Sequence, residues 1–119
     1  MGMTLLAAMA QVESGGDDDA LNVSERARGR YQLRPIYVRD VNRILELRGA
    51  EMRYKLGDAH VQHLAEEMML IYWEWYGMRS DEQKARSHNG GPRGPEKDST
   101  LEYWNKVKAL MEGESNDTE

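Results

Sequence analysis

Glu13 is the residue of this chain whose type and position best suit acid–base chemistry. Apolar residues precede it by eight, seven, four and three positions, and Ser-Gly-Gly follows it at once. These apolar residues are Leu5, Leu6, Met9 and Ala10. On a helix, those spacings place the Glu13 carboxyl on the apolar face. Because an apolar wall raises the pKa of a carboxyl, we expect Glu13 to stay protonated near neutral pH and to donate a proton.

The composition predicts a single globular domain. The chain has 119 residues, which is enough for one hydrophobic core, and a net charge of −5. The absence of cysteine excludes disulfides, thiolate nucleophiles and Cys-based metal sites. The negative charge argues against nucleic-acid binding, and no run approaches the roughly 20 apolar residues that span a bilayer. We therefore expect one domain over residues 1–112, a flexible acidic tail over 113–119, no membrane span and a monomer.

Helical periodicity dominates the pattern, and no strand is convincing. Residues 4–13 have apolar side chains at helical spacing. A second helical segment is expected from around Gly29, with Pro35 in its first turns and Gly49 as its stop. A third segment, after Asp58, keeps helical spacing for four turns. We predict Asp58 as the N-cap of this third helix, which we expect to be the long central helix of the fold. The pattern predicts a mainly α-helical fold with little or no sheet.

Two capping boxes predict the starts of two further helices. Ser80 precedes Gln83 by three residues, and Ser99 precedes Glu102 by three. Residues 89–95, between them, read Asn-Gly-Gly-Pro-Arg-Gly-Pro. We predict that this segment is a loop, because its glycines and prolines disfavour a helix.

Four segments occur in an order that resembles a known family. They are Glu-Ser-Gly-Gly at 13–16, Gly-Arg-Tyr-Gln-Leu-Arg-Pro at 29–35, Ala-x-x-His-Asn-Gly-Gly-Pro at 85–92 and Thr-x-x-Tyr-Trp-x-x-Val at 100–107. This order is similar to that of the lysozyme-like soluble lytic transglycosylases and goose-type lysozymes, which carry Glu-Ser, Gly-Leu-Met-Gln, Ala-x-x-Asn-x-Gly and a final Tyr-Val motif. The resemblance spans nearly the whole chain. It implies a compact lysozyme-like fold with a saccharide cleft.

The resemblance also implies roles for individual residues. Glu13 matches the family's catalytic acid, and Tyr103 matches the tyrosine whose hydroxyl orients that carboxyl. The predicted substrate-binding residues are Ser14, Tyr31, Gln32, His88, Asn89 and Gly90. No cofactor is implied. We expect no metal site either, since His60 and His63 have no evident third ligand.

Departures from the family pattern bear on the cleft and on the reaction. Arg30 and Tyr31 stand where the family usually has Leu-Met, and His88 stands where an aromatic residue is common. Arg34 stands where goose-type hydrolases carry a carboxylate. Because an inverting hydrolase needs a second carboxylate to activate water, we predict a lytic transglycosylase. Glu13 would then protonate the MurNAc-β-1,4-GlcNAc bond and afterwards take the proton of the C6 hydroxyl, leaving a 1,6-anhydro-muramoyl end.

Two alternatives stay open. One is a hydrolytic, lysozyme- or chitinase-like glycosidase in which Asp17, Asp18, Asp19 or Glu25 is the second carboxylate. The other is a catalytically weak saccharide-binding domain on the same scaffold. The negative net charge gives this second alternative some weight, because peptidoglycan is itself often anionic and many wall-degrading enzymes are basic.

The expected partner is peptidoglycan or a related amino-sugar polymer. By resemblance, the protein is exported, periplasmic or phage-associated. The opening Met1-Gly2-Met3 lacks a basic n-region, so no signal peptide is visible in this chain.

Overall fold

The computed structural model describes residues 2–113, and this range contains five α-helices and one small sheet. In chain order the elements are α1 (Leu5–Ser14), β1 (Leu21–Asn22), β2 (Ala27–Arg28), α2 (Pro35–Leu47), α3 (Gln62–Tyr76), α4 (Asp81–Gly90) and α5 (Leu101–Glu112). Short 3-10 helices cover Leu56–His60, Gly94–Glu96 and Asp98–Thr100. The prediction of a mainly α-helical fold with little sheet is confirmed. Within the described range, no helix is both long and apolar enough to cross a bilayer.

The described residues form two compact units. One contains residues 2–12 and 78–113, and the other contains residues 13–77. The last two residues of α1, Glu13 and Ser14, belong to the second unit. The single domain over residues 1–112 stays a prediction. The predicted tail lies outside the described residues except for Gly113, which ends α5 with a φ of 72°.

A buried arginine organises the first unit, in which α4 packs against α5. Arg86 is only 8% exposed. Its Nε and Nη2 donate to Thr100 Oγ1 and to the Lys97 carbonyl, both at 2.8 Å. Its Nη1 donates to Glu82 Oε2 at 2.7 Å. All three guanidinium nitrogens are therefore paired, which a charge needs when it is removed from water.

The end of α4 corrects one sequence prediction. Asn89 and Gly90 were expected in a loop, but they form the last turn of α4, and the helix ends at Gly91 with a φ of 88°. A Cβ at Gly90 would overlap the γ-methyl group of Thr100. Glycine is favoured at this position because it lets the last turn pack closely, an advantage that outweighs its low helix propensity.

Of the two predicted capping boxes, the first is confirmed and the second is wrong. Ser80 Oγ accepts the backbone N–H of Gln83 at 3.0 Å, and Gln83 Oε1 accepts that of Ser80 at 3.1 Å. Ser99 instead lies in a 3-10 helix, and Thr100 is the residue that precedes α5. The Thr100 hydroxyl is buried and donates to the Gly94 carbonyl at 2.8 Å. It is therefore used for packing and does not cap α5.

The second unit begins with a short hairpin. β1 and β2 are antiparallel, with Leu21 opposite Arg28 and Asn22 opposite Ala27. Arg28 also forms a bridge with Leu33, so the chain folds back a second time directly after the hairpin.

Aromatic rings join α2 to α3 in the same unit. The rings of Tyr37 and Tyr72 are stacked, with centroids 4.4 Å apart and planes 15° apart. The Tyr76 hydroxyl donates to Asp40 Oδ2 at 2.6 Å. The buried side chains of the two helices are Val38, Val41, Ile44, Leu45, Ala65, Met68, Met69, Tyr72 and Trp73. Most of these side chains recur three or four residues apart, the spacing of one helix face.

The start of α3 differs from its prediction. Asp58 lies in the 3-10 helix Leu56–His60, where its Oδ2 accepts the backbone N–H of Lys55 at 2.8 Å. The carboxylate therefore stabilises the preceding turn, and α3 begins at Gln62. With 15 residues, α3 is the longest helix of the described range.

Candidate functional site

The Ser14 hydroxyl group makes three hydrogen bonds at the end of α1. Gly15 and Gly16 take left-handed conformations with φ of 72° and 81°, which stop the helix directly after Ser14. Ser14 Oγ donates to the Arg30 carbonyl at 2.8 Å. It also accepts the backbone N–H groups of Gly16 and Asp17 at 3.2 and 3.0 Å. Ser14 therefore ties the end of α1 to another segment of the same unit.

Glu13, the predicted acid, directly precedes this serine. It is half-buried in the last turn of α1. The hydrogen bonds of Ser14 restrain the helix end from which the neighbouring Glu13 side chain projects. Its raised pKa stays a prediction.

The Arg30 carbonyl accepts the hydrogen bond of Ser14, and the side chains of Arg30 and its neighbour Tyr31 are both hydrogen-bonded. The Arg30 guanidinium donates to Asp18 Oδ1 and Oδ2 at 2.9 and 3.3 Å, and this hydrogen bonding raises the pKa of Arg30. Tyr31 is 1% exposed, and its hydroxyl donates to Glu66 Oε2 at 2.6 Å. Burial, followed by that hydrogen bond, raises the pKa of Tyr31 well above its ordinary value. The phenol therefore keeps its proton and acts as a donor. Contact of Tyr31 with substrate stays a prediction.

Gln32 completes a tight turn after this segment. Its φ is 54°, which is uncommon for a residue other than glycine. Its backbone N–H and its side-chain Nε2 both donate to the Gly29 carbonyl at 3.0 Å. The second of these bonds uses the side-chain nitrogen, while the amide oxygen of Gln32 accepts no hydrogen bond from residues 2–113. The predicted contact of Gln32 with substrate is compatible with this geometry and stays a prediction.

Two of the four loop carboxylates are paired with arginines. Asp18 bonds to Arg30, as described above. Glu25 Oε1 accepts from Arg34 Nη2 at 3.0 Å, and about half of each side chain remains exposed. Arg34, the residue at the position of the goose-type carboxylate, thus neutralises a neighbouring acid.

The other two loop carboxylates are exposed and have no arginine or lysine partner within the described range. Asp17 Oδ1 accepts the backbone N–H of Asp19 at 2.9 Å, a local turn that leaves both carboxylates exposed to solvent. The carboxylate of Asp19 makes no hydrogen bond to a described residue. These two acids are therefore the best placed of the four to meet a water molecule or a ligand.

Four predicted site residues belong to the first unit. They are His88, Asn89, Gly90 and Tyr103. Asn89 is exposed, His88 is half-buried and Tyr103 on α5 is 9% exposed. The Gly90 carbonyl accepts from Lys97 Nζ at 2.8 Å. The roles of these residues in binding and catalysis stay predictions.

Several contacts of the second unit were missed by sequence reasoning. His60, which the sequence predicts to be a solvated or core-edge histidine without a metal, places its Nδ1 2.9 Å from the backbone carbonyl of Asp18. Glu66 accepts from Gln62 as well as from Tyr31. Sequence spacing could not identify Glu66, which lies 35 residues from Tyr31. No group of three or more potential metal ligands occurs among residues 2–113.

Comparison with known proteins identifies the fold. One chain of the crystal structure of Aeromonas hydrophila PliI in complex with Meretrix lusoria lysozyme matches with a TM-score of 0.70 and 27% identity. The match covers 89% of this chain and 87% of that one. The fold is lysozyme-like. The predicted fold class is therefore confirmed.

Matches to curated sequences are shorter. Invertebrate-type lysozyme 6 of Caenorhabditis elegans is 56% identical over 34 residues, which are 29% of this chain and 25% of that protein. The lysozyme of Meretrix lusoria is 48% identical over 44 residues, 35% of each protein. The matched stretches thus span a quarter to about a third of these relatives. No protein-family profile matches the chain. The relatives found are named lysozymes and do not single out the transglycosylase or goose-type families.

Proposed function

We propose that this protein cleaves the glycosidic bonds of peptidoglycan by hydrolysis, with Glu13 as the general acid. The main support is the position of Glu13 in a lysozyme-like fold, at a helix end held through Ser14. The relatives named lysozymes support the substrate class and favour hydrolysis over the transglycosylation predicted from the sequence.

Hydrolysis requires two functions in the site. Glu13 donates a proton to the glycosidic oxygen as the bond to the anomeric carbon breaks, and a cationic sugar centre develops. A second carboxylate either activates the water that adds to this carbon or attacks the carbon itself before water does. Because Asp18 and Glu25 are neutralised by arginines, we propose that Asp19 or Asp17 supplies this carboxylate.

Neutralising substitutions in the loop test that assignment. We expect Asp19→Asn or Asp17→Asn to lower kcat about 10²-fold, within the range of a lost acid–base group. Glu25→Gln is the matched control, because it removes only an exposed ion pair with little energetic value. Initial rates on purified sacculi measure the effect. Equal rates for the wild type and for both aspartate variants would contradict the role of this loop.

A transglycosylase is the second candidate, because Arg34 stands at the goose-type carboxylate position and pairs with Glu25. In that reaction Glu13 acts as both acid and base, and no second carboxylate is needed.

Product mass separates these reactions. We expect muropeptides with ordinary reducing ends, since water adds to the sugar in hydrolysis. Mass spectrometry of a sacculus digest measures this directly. Anhydro products, lighter by one water, would support transglycosylation instead. Saccharide binding without any product, in the wild type as in Glu13→Gln, would support the binding-domain alternative.

A further inference from the structure

We propose that Tyr31 is a positioning residue, whose hydrogen bond to Glu66 holds the end of α1 and thereby orients Glu13. The proposal rests on the proposed function of Glu13. It assigns to Tyr31 a role inside the protein, different from the substrate contact that the sequence predicted.

A short series of contacts connects Tyr31 to the end of α1. The peptide group that joins Arg30 to Tyr31 carries the carbonyl that accepts from Ser14 at 2.8 Å. Because a peptide group is planar, that carbonyl and the Cα of Tyr31 lie in one plane, and a displacement of Tyr31 moves the carbonyl as well. Ser14 is the residue next to Glu13. Only one peptide group and one hydroxyl therefore lie between Tyr31 and the end of α1.

The Tyr31 side chain is suited to hold this peptide in place. Its ring is 1% exposed, and its hydroxyl lies 2.6 Å from a carboxylate oxygen of Glu66 on α3. Hydrogen bonds to an ionised acceptor are stronger than bonds between neutral groups. Gln62, one turn earlier on α3, donates to the same carboxylate at 3.0 Å and restrains it. The hydrogen bond to Glu66 thus attaches the Tyr31 side chain to α3.

A second tyrosine of the same unit offers a matched control. Tyr54 is 6% exposed, and its hydroxyl donates to Glu67 Oε1 at 2.7 Å. Glu67 is the neighbour of Glu66 on α3. The backbone N–H and carbonyl of Tyr54, however, pair with the Asn42 side chain at 2.9 Å each, so they lead to α2. Both tyrosines are therefore buried and bonded to a carboxylate on α3. They differ in the helix that their backbone contacts, which is the end of α1 for Tyr31 and α2 for Tyr54.

The test compares Tyr31→Phe with Tyr54→Phe in the full chain. We expect both variants to lower Tm by similar amounts, since each loses a buried hydroxyl–carboxylate bond. Only Tyr31→Phe should lower kcat on sacculi, about tenfold with KM little changed, because displaced catalytic groups lose rate more than binding. An unchanged kcat for Tyr31→Phe, or equal losses in the two variants, would overturn the proposal.

Two substitutions of Glu66 test whether a hydrogen-bond acceptor at this position preserves kcat. Glu66→Gln should lose less of kcat than Glu66→Leu, because an amide oxygen still accepts from the Tyr31 hydroxyl. Equal losses in the two would also count against the proposal.

A readout independent of activity separates this proposal from the proposed function. The amides of Gly16 and Asp17 donate to Ser14 Oγ, so we expect their hydrogen exchange to accelerate in Tyr31→Phe and not in Tyr54→Phe. Unchanged exchange in Tyr31→Phe overturns the positioning role even if the enzyme is active. Accelerated exchange in a protein whose wild type cleaves no peptidoglycan supports the positioning role and rejects the proposed function.

Discussion

Glu13→Gln is expected to lower the rate of peptidoglycan cleavage about 10³-fold, within the range for loss of a general acid. The amide has nearly the shape of the acid but cannot supply its proton to the glycosidic oxygen. The loss should appear in kcat and leave saccharide binding largely intact. Initial rates of sacculus clearing, together with binding of a soluble fragment, measure the two effects separately.

Glu46→Gln is the matched control for this substitution. Glu46 is exposed on α2, so the same chemical change there should leave the rate and Tm close to the wild type. If Glu13→Gln retained most of the activity while folding normally, Glu13 would not be the acid.

Gly29→Ala is expected to destabilise the protein by about 3 kcal/mol, from a left-handed conformation combined with steric overlap. Gly29 has a φ of 81°, and a Cβ there would overlap the backbone carbonyl of Ala59. Because the obstructing atom belongs to the backbone, a side-chain rotation cannot relieve the overlap. Urea denaturation, with midpoint and slope compared between variants, measures the loss.

Gly49→Ala separates the two causes. Gly49 has a similar φ of 77°, and a Cβ there would meet nothing within 4 Å. We expect a loss of only about 1 kcal/mol, the cost of the left-handed conformation alone. Equal losses at the two positions would mean that the approach of Gly29 to Ala59 is not important for stability.

Local signals predicted the helices well. Ser80 and Gln83 form the predicted capping box because both partners lie within one turn, where chain geometry alone brings them together. Six of the periodic apolar residues are buried for the same reason, since a helix places them on one face: Val41, Ile44 and Leu45 of α2, and Ala65, Met68 and Tyr72 of α3. Trp75, at the end of the predicted α3 stripe, is 38% exposed.

Other local signals were overridden by contacts made elsewhere in the fold. Asp58 has the side chain of an N-cap, but its carboxylate bonds to Lys55 one turn before α3. Gly90 remains helical because Thr100, ten residues later, packs where a side chain would stand. Thr100 in turn uses its hydroxyl inside the unit, so it does not cap the helix that it precedes. None of these packing partners can be read from the local sequence.

In the candidate site, too, some features follow from the local sequence and others from tertiary contacts. The sequence by itself determined that a helix ends at Glu13, one residue before the observed end at Ser14, because an apolar stripe and two glycines define that boundary within a few residues. Only the tertiary structure decided which groups meet there. Asp18 pairs with Arg30 twelve residues away, and Tyr31 reaches a carboxylate on α3. Such pairings depend on how the hairpin and α3 pack, and residue spacing carries no information about that packing.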